Sequence, residues 1–566
     1  MRPTPSSKHI LAVVIFLIVA ACSTYVGWLD TNLSDEQVNL ATAAAKRHDP
    51  NLMLLDTVYG KIHSGGELRQ IHSPAFLSLM EMSLIPTLYS DLELPFRIGI
   101  FPFMFLYLCG MYALLWRQCR SSSIAAFVSV LSISVIPTFG GWFSGIGTLE
   151  SITPDGLVTV FSPLLILCYL RTSRNSKTAL PFCLVGLCAN IHLVAAVNLA
   201  LVLLIVHLGR NRFRLRAIWE SVVGAFFFLV GAMPYLVYFT VLRYHLASEA
   251  GDISVSTTAI LQALQISDLD ILYPSLLNSL VNWGIYVLIL GSLSTTMLWR
   301  FDRFRAQDMD VWLWMVAGGL FVALVLHGIL QASGLIWNPI MGLIDLTQAS
   351  CWVMLPLYVM FAQALTHLFR IVRKNRAYLR WACAAFMIVW LLPSKNLLAF
   401  RHASYALVTS HLAESEKSIR VQELGDRARQ KDELNAISQW AKTQTDDSAM
   451  FMTYDNLFRM KASRNVFVCR EDFRYFYHLS PWLLDEWTAD IELQSRMFAN
   501  PIRQGQITTG VAKLSKRPEY QKVSGWYVLL PVTASGEELE QLEEVKSDQW
   551  GKYLRLFKVV EPGNRD

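Results

Sequence analysis

Apolar runs long enough to cross a bilayer recur through the first 400 residues of this 566-residue chain, and they leave few folds open to it. They are Ile10–Leu29, Ile98–Trp116, Ile124–Phe143, Gly156–Leu170, Val222–Leu242, Leu277–Trp299, Val311–Leu330, Cys351–Phe369 and Leu379–Leu397. A helix rises about 1.5 Å per residue, so roughly 20 apolar residues cover a hydrocarbon core about 30 Å thick. A further apolar stretch, Ala179–Leu208, is interrupted by Asn190 and His192 and reads as a short or re-entrant helix followed by a longer one. The expected fold is an α-helical polytopic membrane protein with about eleven membrane segments. Charged residues make up only 16% of the chain, against roughly 25% in soluble proteins. The first run could be a signal peptide, and Val19-Ala20-Ala21-Cys22 resembles a lipoprotein cleavage box, but the run continues to Leu29 and reads better as a span.

Orientation follows from basic clusters between the runs: Arg117/Arg120, Arg171/Arg174/Lys177, Arg210/Arg212/Arg214/Arg216, Arg300/Arg303/Arg305 and Arg370/Arg373/Lys374/Arg376. Cytoplasmic loops carry such excesses, and placing all five there gives spans that alternate without contradiction. The clusters are loop-like rather than a nucleic-acid footprint. The N-terminus is then inside, with the loop 30–96 and the C-terminal region outside. Phe76–Tyr89 is short and carries Glu81, so it is expected to lie at the interface. The expected domains are a transmembrane part, 1–403, and an extracytoplasmic part, 404–566, in a bacterial inner membrane.

Beyond residue 404 the long apolar runs cease. Glu414–Lys442 and Pro481–Phe498 have helical patterns, while Ala449–Tyr454, Val466–Cys469, Trp526–Leu530 and Tyr553–Val560 read as strands. That alternation predicts a small α/β domain. It carries no Gly-rich phosphate loop and no nucleophile motif. Of the nine cysteines only Cys469 falls here, so neither a disulfide framework nor a zinc site is expected.

Chemistry is most legible in the loop 30–96. Asp35-Glu36 follows the first run closely, and Asp49, Asp56, Glu67, Asp91 and Glu93 follow in turn. Acids in an outward loop are ordinarily solvated, and Ser34 before the pair suits a helix N-cap with acids in the first turn. The order of features says more. The pair is followed by an alanine-rich helical stretch, then His72-Ser73-Pro74, then the amphipathic Phe76–Tyr89, then Leu94-Pro95-Phe96-Arg97 leading into the next run. This order resembles the GT-C superfamily of membrane glycosyltransferases, in particular the branch holding protein O-mannosyltransferases and lipid A aminoarabinose transferases. The resemblance covers residues 10–116 at the level of motifs and the rest in architecture only. His72-Ser73-Pro74 departs from the Lys/Arg-Pro-Pro-like segment typical there.

The resemblance implies transfer of a sugar from a polyprenyl-phosphate donor to a lipid, glycan or protein acceptor at the external face of the bilayer. It makes Asp35 the general base and Glu36 its partner or a ligand for a divalent cation, Mg²⁺ or Mn²⁺. Arg97, Arg243, His245, Lys395, Arg401 and His402 are cations on the outward side that could face the leaving phosphate, each weighed against snorkelling at a helix end. His72 and Asp155 complete the substrate-side candidates. Glu150 lies near Asp155, and His192, His327, Asp345 and Trp337 are weaker candidates, with a structural role at the helix break favoured for His192. Two rival classes remain open: a transporter or flippase, which should show paired broken helices in repeated halves, and a non-catalytic envelope scaffold, in which the acidic pair would be freely replaceable.

Overall fold

The computed structural model describes residues 7–29, 33, 35–60, 74–87, 89, 91–133, 153–172, 179–250, 291, 308–333, 346–371, 376–391, 404, 419–473, 476, 481–540 and 542–559. The protein is mostly helical with a small C-terminal sheet. In chain order the helices are α1 (Ser7–Leu29), α2 (Asp35–His48), α3 (Pro74–Leu84), α4 (Leu94–Cys119), α5 (Ser122–Leu131), α6 (Pro154–Thr172), α7 (Ala179–Ala189), α8 (Leu193–Arg210) and α9 (Leu215–Ala250). They continue as α10 (Met309–Ala332), α11 (Cys351–Ile371), α12 (Arg376–Leu391), α13 (Ile419–Gln444), α14 (Asn456–Ala462), α15 (Leu484–Met497) and α16 (Gln506–Leu514). The strands are β1 (Met450–Met452), β2 (Asn465–Val466), β3 (Trp526–Pro531), β4 (Glu543–Val545) and β5 (Leu554–Val559).

Among the described residues, seven helices are long and apolar enough to cross a membrane: α1, α4, α6, α8, α9, α10 and α11. Helices α5 and α7 are apolar but shorter, and α12 has 16 residues. The expected span Leu277–Trp299 lies, apart from Gly291, outside the described residues, as do the later parts of Ile124–Phe143 and Leu379–Leu397. The break expected inside Ala179–Leu208 is present between α7 and α8.

Contacts divide the chain into two compact units: 1–32, 95–237 and 271–403 form the first, and 33–94, 238–270 and 404–566 form the second. The sequence pattern groups the loop 30–96 with the transmembrane part. In the structure Leu33–Leu94 clusters instead with the C-terminal residues, because its core side chains find their partners there.

In the first unit α11 is the central helix. Its side chains from Trp352 to Thr366 are all buried, among them Trp352, Tyr358 and Phe361. Close approach to α11 relies on glycine: a Cβ on Gly319 of α10 would lie 2.8 Å from the Val353 side chain. Where apolar lipid replaces water, such small-residue contacts carry much of helix association. Of the seven membrane-length helices α9 is the least covered, with Trp219, Phe226, Leu229 and Met233 exposed as a lipid-facing helix would have them. It contains Pro234, whose ring removes one backbone donor and displaces a carbonyl. Asn190, at the α7–α8 break, fits this defect. Its Nδ2 donates to Gly231 O and its Oδ1 accepts from Tyr235 N, both at 3.0 Å, so the side chain stands in for the missing turn of the ladder.

Polar contacts gather at one end of this bundle. The Arg117 guanidinium donates to the carbonyls of Leu167 and Leu170 at the end of α6. Arg210 pairs with Asp310 at 3.1 Å and with Asp308 at 3.7 Å, while Gln118 donates to Asp308 and accepts from Gln363. His207 meets Glu220, which also pairs with Arg216. Two of the five basic clusters contribute to this end (Arg117 from one, Arg210 and Arg216 from another), so part of their charge holds helix ends together.

In the second unit the sheet runs β2-β1-β3-β5-β4, parallel through β2, β1 and β3 and antiparallel through β3, β5 and β4. Helices α13 and α14 pack together, and their apolar face (Leu434, Ile437, Phe458 and Ala462) meets Phe451, Val466 and Leu556 of the sheet. The strands β1, β3 and β5 coincide with expected runs. Strand β4, Glu-Glu-Val, lacks an apolar signal, while helix α16 is short but carries one, with Ile507, Val511 and Leu514 on its buried face.

Candidate functional site

The acidic pair opens α2, which begins six residues beyond the end of α1. Asp35 and Glu36 occupy its first turn, where the free N–H groups and the helix dipole favour negative charge. Their side chains, and Ser34, lie outside the described residues. Behind them every residue from Gln37 to Lys46 is buried, an unusual depth for so polar a segment. Small side chains make it feasible: Ala41, Thr42, Ala43, Ala44 and Ala45 let α2 come close to α14 and α3.

What fixes α2 is a buried ion triad. Asp56, counted by sequence among the solvated acids of its loop, is 1% exposed. Its Oδ2 accepts from Arg459 Nε and from Val466 N, both at 2.9 Å, and its Oδ1 accepts from the N–H groups of Val58 and Tyr59. Arg459, in α14, forks onto Asp472 through Nη1 at 2.7 Å and Nη2 at 3.0 Å, and Nη1 also donates to Asn456 Oδ1. The Tyr59 ring lies under the guanidinium, 5.5 Å away. Satisfaction this complete is what an ion group needs in order to remain charged away from water. The same loop covers the outer edge of the sheet: Asp56 takes the Val466 N–H of β2, Leu55 N donates to Asn465 Oδ1, and the Thr57 hydroxyl donates to Phe467 O.

From the triad the contacts lead back to the acidic helix. Asn456 Nδ2 donates to Asn39 Oδ1 at 2.8 Å, and the Tyr59 hydroxyl donates to Asn39 O at 3.1 Å. Asn39 is one turn beyond Asp35, on the same helix face. At the far end Lys46 Nζ donates to the carbonyls of Pro50 and Leu52, Arg47 pairs with Glu81 of α3 at 2.8 Å, and His48 stacks on Tyr89. Glu93, another of the loop acids, pairs with Lys461 at 2.6 Å, and Asp91 caps the start of α4 by accepting from Glu93 N and Leu94 N.

Burial raises the Asp56 carboxyl above the usual carboxylate range, against the pull of Arg459 and of the backbone N–H groups. Burial works against the charge of Arg459 too, but Asp472 and Asp56 together outweigh it and hold the guanidinium charged. Lys46 is lowered by burial, partly offset by Asp56 and Asp49.

The remaining candidates are divided between the units. Arg97, half-buried, is in the first turn of α4, and Asp155, also half-buried, is in the first turn of α6, close enough to Cys351 at the start of α11 for its charge to be felt there. Both belong to the first unit. Arg243 and His245 lie in the last part of α9, with side chains outside the described residues. His72, Arg401, Lys395, His402, Glu150, Asp345 and Trp337 lie outside them altogether. His192 is the N-cap of α8, its Nδ1 accepting from Ala195 N, which is a structural role. His327 is buried in α10.

Arg459, Asp472 and Asn456 escaped sequence reading. The available signal was local: Asp56 stands among Leu54, Leu55, Val58 and Tyr59, a setting that suits a buried acid better than a solvated one. Among the described residues no three His, Cys, Asp or Glu side chains gather as a metal site requires. No family model matches the chain, and no curated protein matches it.

Proposed function

We propose that the protein is an integral membrane glycosyltransferase of GT-C type, with about eleven membrane segments, acting at the external face of a bacterial inner membrane. The observation that carries this reading is the anchoring of α2. A helix opening on Asp35-Glu36, six residues past a membrane-length helix, is held by a fully buried hydrogen-bonded network. Six residues of chain reach at most about 20 Å, a tether that suits work close to a membrane surface. A carboxylate held there suits a reaction between a lipid-borne donor and an envelope acceptor.

In the proposed step the acceptor hydroxyl oxygen attacks the anomeric carbon of a polyprenyl-phosphate-linked sugar. Its proton passes to the Asp35 carboxylate as the glycosidic bond forms. The bond from the anomeric carbon to the phosphate oxygen breaks, and polyprenyl phosphate leaves with the electron pair. Positive groups stabilise that departing charge. Arg97 is the described candidate, and His72, Arg243, His245 and Arg401 are the others, with Asp155 as a further contact to sugar or acceptor. Glu36 is the candidate ligand for a divalent cation, Mg²⁺ or Mn²⁺, and the proton passes to Asp35 alone.

The test compares envelope lipids, glycans and proteins by mass spectrometry from cells carrying the wild type, Asp35→Asn or a deletion, at matched protein levels. A sugar-sized mass loss common to Asp35→Asn and the deletion is expected, and it identifies the acceptor. If the deletion shows the loss and Asp35→Asn does not, the base assignment is wrong. If neither differs from wild type, the enzymatic reading fails. The transport reading, which draws on the α7–α8 break and the π-helical turn Phe321–Leu326 in α10, then becomes the one to test.

A further inference from the structure

We infer that Arg459 is a positioning residue for the acidic helix: it fixes α2, and with it Asp35, through the Asp56 loop on one side and Asn456 on the other. The inference rests on the glycosyltransferase reading for its consequence in activity, but its mechanical part stands on the contacts alone. Arg459 is 0% exposed and meets three partners, Asp56, Asn456 and Asp472. Two of those partners lead to α2. Asp56 orients the turn that carries Tyr59, whose hydroxyl holds Asn39 O. Asn456, held by Arg459 Nη1, donates to the Asn39 side chain. Both paths converge on Asn39, one turn from Asp35. The third partner, Asp472, ties Arg459 to the sheet side by accepting from Cys469 N. Arg459 is thus the point where the helix bearing the acidic pair is joined to the rigid α/β part of its unit.

Such an arrangement has a signature that a purely structural ion pair lacks. Breaking the Asp56 arm should free α2 and the loop behind it while the sheet stays closed, because Arg459–Asp472 is untouched. A fork of donors is needed to serve Asp56, Asn456 and Asp472 together, so lysine should restore charge without restoring register.

The experiment uses the full chain in membranes or nanodiscs. Hydrogen–deuterium exchange is followed for peptides covering 35–60 and for peptides covering β3 and β5. The variants are Asp56→Asn, Arg459→Gln and Arg459→Lys, with Arg555→Gln, which pairs with Glu544 at 2.9 Å away from these contacts, as control. The same strains are scored for the sugar-modified product at matched protein levels. Exchange in 35–60 should rise on the order of a hundredfold in Asp56→Asn and Arg459→Gln, with β3 and β5 unchanged in Asp56→Asn. Product should fall towards the Asp35→Asn level, with Arg459→Lys between, and Arg555→Gln should match wild type in both readouts.

Unchanged exchange in 35–60, or loss of protection in β3 and β5 in Asp56→Asn as well, overturns the inference. Retained product in Arg459→Gln, where Asp35→Asn has lost it, overturns the inference and leaves the glycosyltransferase reading intact. If Asp35→Asn itself keeps its product, that reading falls, and the exchange measurement still decides whether Arg459 holds the helix.

Discussion

Glu433, in α13, shows how much one side chain can organise in the second unit. Its carboxylate accepts the backbone N–H groups of Gly551, Lys552, Tyr553 and Leu554 at 2.9–3.3 Å, so the turn into β5 wraps around it. Gly551 has φ +115, a conformation open to glycine alone in practice, which lets the turn close. An amide in place of the carboxylate would present two N–H groups to a ring of N–H groups. Glu433→Gln should therefore cost about 1–3 kcal/mol, read as a lower midpoint of thermal unfolding for the second unit. An unchanged midpoint would mean that the four contacts carry no net weight. Glu538 plays a similar part at the start of α16, accepting from Ile507 N, Thr508 N and the Thr508 hydroxyl. Both acids belong to charged stretches that in sequence look like solvated surface.

Among the elements, α9 depends on a neighbour for its backbone ladder. Its ladder is broken at Pro234 and completed by Asn190 from the α7–α8 break, where the two backbones nearly touch. A Cβ on Gly186 would lie 2.1 Å from Phe228 O, and one on Gly231 would lie 2.3 Å from Cys183 O. Asn190→Leu keeps the branched shape and removes the side-chain hydrogen bonds to Tyr235 N–H and Gly231 C=O. A loss of about 1–2 kcal/mol is expected, visible as earlier unfolding in detergent, and a variant as stable as wild type would remove the clamp from the account. The break itself was legible, because Asn190 and His192 interrupt an otherwise apolar run. The partner was not, since it lies 41–45 residues along the chain and no local pattern points to it. The same division runs through the second unit. Strands β3 and β5 announce themselves by aromatic and branched residues, and α2 by its alanines. Strand β4 is two glutamates and a valine, paired with β5, with Val545 against the core and its carbonyl accepting from Trp550 Nε1. The start of the acidic helix at Asp35 was likewise readable, while the triad beneath it required a pairing of Asp56 with Arg459 that spacing cannot suggest.

For the molecule as a whole, the second unit is assembled from three separate stretches of chain, 33–94, 238–270 and 404–566. Its response to alkali follows from buried tyrosines. Burial raises Tyr454, Tyr520 and Tyr527 above the ordinary tyrosine value. The unfolded chain releases these protons near pH 10, about the model-peptide value, while the folded unit still holds them. Fewer protons are then bound in the unfolded state, so stability falls as pH rises above that point. Lys46 has the opposite sign: lowered by burial, it gives up its proton first in the folded state and adds stability as pH rises towards its ordinary value. Tyr520→Phe should flatten the decline, followed by tyrosinate absorbance and thermal unfolding across the alkaline range. Parallel declines in wild type and variant would rule out Tyr520 as a cause.

The triad also sets a clock. Asp56 and Arg459 are 403 residues apart, and a ribosome adding about 5–20 residues per second makes the second some 20–80 s after the first. Through that interval α2 exists without the partner that seats it, so under the proposed function Asp35 cannot serve as base until α14 has been made and folded onto it. A chain truncated before α14 would carry every membrane-length helix described here and still present Asp35 on an unanchored segment. Premature termination should therefore yield an inert membrane protein rather than a partly active one.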